Sequence, residues 1–118
     1  MFFNKKSNPQ GAFVVSKNIL KNIPVKYSFK KSTSNKNLNG WTLFSKEDEN
    51  IEGYIQDESN YVFLEAETVF EFLPMTEVLV ELPDGTDYGW IYNDNNEFEA
   101  FYDLKQDKVV TVEELKIK

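Results

Sequence analysis

Turn residues constrain this chain more than any other feature of it. Pro9-Gln10-Gly11, Pro24, the polar stretch 31–40, Pro74, Pro83-Asp84-Gly85-Thr86 and Asn93-Asp94-Asn95-Asn96 divide its 118 residues. Between them most apolar stretches carry the periodicity of a strand and a few that of a short helix. Residues 1–11 read as a loose N-terminal segment. Ala12-Phe13-Val14-Val15 suits a strand buried on both faces. Ser16 then stands at an N-cap, opening a brief helix through Ile19 and Leu20 that Pro24 stops. Val25, Tyr27 and Phe29 alternate with Lys26, Ser28 and Lys30, the period of a strand with its rings on one face and its lysines on the other.

Further strands are expected over 41–44, 61–64, 88–92 and 97–102, the last two forming a hairpin, and one more over 109–112. Ala66, Val69, Phe70 and Leu73 recur at helical spacing before Pro74. Ser45 with Asp48 resembles an N-terminal capping pattern, and residues 75–82 fit either a last helical turn or a strand. Strands at both ends with one or two short helices between them imply a single α+β domain over 12–118, an antiparallel or mixed sheet with helices packed on it.

Cysteine and histidine are both absent, which removes thiol nucleophiles, disulfides, imidazole bases and the usual zinc ligands. No glycine-rich phosphate loop or nucleophile elbow is present, so an enzyme is not expected, and no catalytic residue, metal or cofactor is assigned. Asp48, Asn50 and Glu52 followed by Gly53 imitate the start of a calcium loop, but Ser59 stands where the closing glutamate belongs. The opening Met1-Phe2-Phe3-Asn4-Lys5-Lys6 lacks the apolar stretch of a signal peptide, and no window approaches a membrane span. A cytoplasmic location is expected.

Charge is divided unevenly. Residues 1–36 hold eight lysines and no acid, whereas the remainder holds five lysines and 20 acids, and the whole carries -7. The two segments either neutralise each other in the fold or present a basic arm and an acidic body. Alternation in the lysine-rich third matches a sheet packed on its core, so nucleic acid is not an expected partner. Eighteen aromatic residues exceed what so small a domain buries completely, and an exposed Trp or Tyr ringed by carboxylates has the composition of a protein-binding hot spot. Candidate binding residues are Glu47, Asp48, Glu49 and Glu52 for steering and Trp41, Tyr54 and Trp90 as aromatic contacts. A tryptophan in mid-strand, as at Trp41, more often belongs to the core.

The order of residues from Val15 onward resembles the immunity protein 33-like domain, a bacterial family. Val15-Ser16-Lys17 with Ile19-Leu20, Pro24-Val25 with Tyr27, Gly40-Trp41 with Leu43-Phe44-Ser45, and Glu47-Asp48-Glu49 carry the likeness. Asp57-Glu58-Ser59-Asn60 and Pro83-Asp84-Gly85-Thr86 continue it, so that it spans about residues 14–102. The family tends to place arginine where this chain has Lys30, an acid near Leu38-Asn39 and glycine at Lys46. The resemblance implies an α+β fold and, for some members, a protein that neutralises a cognate toxin; it brings no catalytic residues. The expected function is therefore a small bacterial binding protein whose partner is a basic toxin domain. The alternative is a regulatory or housekeeping domain that binds a small ligand in an aromatic-lined pocket.

Overall fold

Ser16 sets where the first strand ends. Its backbone is extended (φ -60°, ψ 135°) and its hydroxyl accepts the Asn18 N–H, so β1 (Ala12–Ser16) runs directly into the short helix α1 (Lys17–Leu20). The computed structural model describes residues 10–117. Most of the expected loose N-terminal segment thus lies outside the described residues. After the turn at Pro24 come β2 (Val25–Lys30), β3 (Leu38–Ser45) and β4 (Tyr61–Glu65), then α2 (Ala66–Phe72) and a 3-10 helix (Pro74–Leu79). The chain ends with β5 (Asp87–Tyr92), β6 (Phe98–Asp103), β7 (Lys108–Val110) and α3 (Val112–Lys116).

The strands form one mixed sheet in the order β4-β1-β3-β2-β5-β6-β7, in which only the β1–β3 pair is parallel. One face carries the core: Phe13 and Val15 of β1, Trp41 and Leu43 of β3, Trp90 of β5 and Phe101 of β6, packed against Ala66 and Val69 of α2 and against Leu79 and Leu82. Phe98, Phe101, Trp90 and Tyr88 meet ring to ring at centroid distances of 4.9–5.4 Å, adding directional contact to the area they bury. The other face carries Val14, Thr42, Phe44, Tyr27 and Phe29, brought side by side by the register and all half-buried.

The strand positions agree with the periodicity, but β2 does not keep its simple alternation. A bulge between Val25 and Tyr27 changes the face, so that Val25 and Ser28 are the buried residues and Tyr27 and Phe29 lie on the opposite side. Lys30 accordingly leaves the solvent side, and its ammonium donates to the carbonyls of Val80 (2.8 Å) and Leu82 (2.6 Å). A second irregularity lies in β3, where Leu38 pairs with Ala12 but Thr42 pairs with Val14. Gly40 takes φ +94° there, and a Cβ would stand 2.7 Å from the Lys31 carbonyl oxygen, so no other residue fits without moving backbone. The ambiguous stretch 75–82 proves to be largely the 3-10 helix. The expected strand end at 109–112 stops at Val110, because Thr111 and Glu114 form a capping box that starts α3.

Candidate protein-binding surface

Fifteen residues, 46–60, connect β3 to β4, and six of them are acids. Held loosely, such a loop would spread its charges in water. Here one of the acids is turned inward instead. Asp48 is completely buried. Its Oδ1 accepts from Ser16 Oγ (3.0 Å), Asn18 Nδ2 (3.0 Å) and Ser45 Oγ (2.5 Å), and its Oδ2 accepts from the Ser45 N–H (2.8 Å). A buried carboxylate is tolerated where donors replace its lost hydration, and four donors do so here. Because the Ser16 hydroxyl spends its proton on Asp48, the Tyr54 hydroxyl 2.9 Å away donates to Ser16 Oγ. Tyr54 is further tied by Asn60, whose Nδ2 donates to its carbonyl (2.9 Å). Ser16 thus fastens the loop at Asp48 and again at Tyr54.

What the fastening leaves outside is the charged part. Glu47, Glu49 and Glu52 are exposed, with the apolar Ile51 and Ile55 exposed among them. Lys26 Nζ pairs with Glu49 Oε1 at 2.8 Å, the one ion pair among the described residues. Both side chains are more than half exposed, so the pair is worth a few tenths of a kcal/mol at most and leaves Glu49 available. Between this loop and the sheet runs a shallow depression of about 120 Å³ lined by Lys26, Tyr27, Phe44, Ser45, Glu49 and Ile55. Two rings line it, Tyr27 stacking on Phe44 at 5.5 Å, and Tyr61 outside it meets Phe44 edge-on at 6.0 Å. Burial, and then the charge of Asp48, pushes the Tyr61 phenol up to about 12. Tyr27 is raised too, by burial first and then by the carboxylates of Asp87 and Glu49. Both phenols stay neutral near pH 7 and hold their protons within the chain, Tyr61 donating to the Ile55 carbonyl (2.9 Å) and Tyr27 to the Asp87 carboxylate.

The structure therefore separates the seven candidate residues. Glu47, Glu49 and Glu52 are exposed on one loop; Asp48, Trp41, Tyr54 and Trp90 are buried. Asp48 sits in the interior because Ser16, Asn18 and Ser45 converge on it, which also directs its oxygens away from any loop-centred cation site. Trp41 is wholly buried with its indole N–H donated to the Leu79 carbonyl (3.0 Å). Trp90 is 7% exposed, its N–H donated to Ser28 Oγ (2.9 Å). Both indoles are satisfied from within, the usual condition for a buried tryptophan. The apolar residues that do reach the surface, Ile51 and Ile55, escaped notice because an isolated isoleucine in a polar loop has no periodic partner. Phe63, the most exposed ring among the described residues at 64%, escaped because alternation within a strand does not show whether the strand has a neighbour.

The domain is small and α+β, with its acidic loop stapled to the sheet and carboxylates and isoleucines exposed on that loop. Residues 13–105 fit the immunity protein Imm33 domain, and the chain belongs to that family. No curated protein and no solved structure is detectably similar to it. Among the described residues no helix is long and apolar enough to cross a membrane.

Proposed function

We propose that this chain neutralises a cognate bacterial toxin by binding it in the cytoplasm, with loop 46–60 facing a basic region of the toxin. The observation that carries this is the division of labour inside the loop. Asp48 is spent on holding the backbone in place, while Glu47, Glu49 and Glu52 stand outside around Ile51 and Ile55. Carboxylates arranged so raise the encounter rate and select the partner, while fully desolvated apolar groups slow dissociation. A loop already ordered before binding also loses less entropy on association. Family membership supports the toxin as the partner, and the excess of acid in residues 37–118 supports its basic character.

The test is protection. Cells expressing a toxin domain that this chain binds should survive when the wild-type chain is co-expressed. They should die when Glu47, Glu49 and Glu52 are all replaced by lysine in a variant that remains folded. Full protection by the lysine variant would remove the loop from the contact.

A further inference from the structure

Among the described residues the sheet ends at β4 on one side and β7 on the other, and the two edges are built differently. β7 is three residues long and carries Lys108, the ordinary protection of an exposed edge. β4, Tyr61-Val62-Phe63-Leu64-Glu65, has neither lysine nor proline, and it pairs with β1 at five successive positions without a bulge. The Ala66 N–H bonds the Gly11 carbonyl at 3.0 Å. Antiparallel alternation from that bond turns the backbone groups of Val62 and Leu64 toward β1 and those of Phe63 outward, with the Tyr61 carbonyl and the Glu65 N–H. The Tyr61 N–H is already taken by the Glu58 carbonyl. Phe63 lies beside Val14 at 64% exposure, over a depression of about 660 Å³ lined by Val14, Leu38, Glu58, Tyr61, Val62 and Phe63.

Carboxylates stand at both ends of this edge, Glu58 lining the depression and Glu65 exposed at the end of the strand. A second copy pairing antiparallel about Phe63 would set its own Glu58, Glu65 and Glu67 against them. Like charges make that pairing unfavourable. Tyr61, Phe63 and Glu65 share the face of Val14. An extended segment with an apolar residue on that face at its centre and lysine or arginine two residues to either side of it meets both requirements, placing the apolar group over Val14 and Phe63 and the cations near Glu58 and Glu65. We infer that β4 is a docking edge to which such a segment of a protein partner adds as a further strand. The inference rests on the chain acting by binding a protein and assigns that partner a contact separate from loop 46–60.

The test uses the full chain labelled with nitrogen-15 and, as probe, an acetylated and amidated seven-residue peptide Thr-Lys-Thr-Val-Thr-Lys-Thr, whose valine and two lysines share one face. Saturable amide shifts are expected at 61–65 and in β1, with exchange of the Phe63 amide slowed about tenfold. Phe63→Pro removes the outward N–H without touching the bonds to β1 and should abolish the effect. Phe63→Lys, which keeps the backbone donor but repels the peptide, should abolish it too and serves if the proline variant does not fold. Replacing Glu47, Glu49 and Glu52 by glutamine should leave the shifts at β4 in place, so the edge and the loop fail separately. Shifts confined to residues 46–57, shifts that survive both Phe63 variants, or no shift at millimolar peptide would overturn the inference. Shifts at 61–65 that grow with protein concentration in the absence of peptide would overturn it in favour of a second copy.

Discussion

Replacing Asp48 by asparagine is the sharpest perturbation of the loop, because it changes charge and one atom while keeping the shape. The carboxylate accepts four hydrogen bonds from Ser16, Asn18 and Ser45. Asparagine keeps one acceptor oxygen, best placed where Oδ1 now receives three donors, and its amide nitrogen then faces the Ser45 N–H donor to donor. A hydrogen bond to a charged group contributes about 1.5–3 kcal/mol against about 0.5–1.5 for a neutral one, and a stranded buried donor costs about 1–3 kcal/mol. The smaller desolvation of an amide offsets part of this, leaving a net loss of about 2–4 kcal/mol. For a domain of this size that lowers Tm by about 8–16 °C. Urea unfolding followed by the fluorescence of buried Trp41 and Trp90 reads the loss as a shifted midpoint at unchanged slope. A loss below about 0.5 kcal/mol would refute the claim that Asp48 fastens the loop.

Other residues give further expectations. Trp90→Phe should destabilise by about 2–3 kcal/mol, through lost volume and the lost bond to Ser28; a double-mutant cycle with Ser28→Ala should show coupling of about 1 kcal/mol, and additive losses would contradict the bond. Lys30→Ala, which frees the carbonyls of Val80 and Leu82, should lower stability by about 2 kcal/mol in urea unfolding, whereas Lys30→Arg should retain most of it. Tyr61 and Tyr92 have phenols pushed up to about 12, in both chiefly by burial, and Tyr88 is raised from the same first cause. A raised folded value means that the stability is fully present below pH 10 and is lost as pH climbs through about 12. Absorbance at the phenolate band should therefore titrate late and together with unfolding; an early, reversible titration of all six tyrosines would contradict the burial.

Much of the fold was legible because local chemistry sets it. Ser16 caps where capping was expected, Ala66 and Val69 mark the helical face, and the asparagines of 93–96 make the turn between β5 and β6. The bulge at Lys26 was not legible, since it depends on how β2 meets β3, and it inverted the expected faces of Ser28, Tyr27 and Phe29. The candidate site was legible in part for a related reason. Composition located the acidic segment, but which of its acids turns inward depends on Ser16 and Asn18, some thirty residues away in sequence. Likewise Trp41 and Trp90 are core because Leu79 and Ser28 satisfy their N–H groups, and no local pattern reveals such partners.

The proposed function is tested most directly by the association rate of this chain with the proposed toxin partner, measured by stopped flow over a range of salt. The account predicts fast association for the wild type that slows steeply with salt, and a rate at low salt about tenfold lower and nearly salt-independent once Glu47, Glu49 and Glu52 are glutamine. Identical rates and identical salt dependence for the two proteins would contradict it.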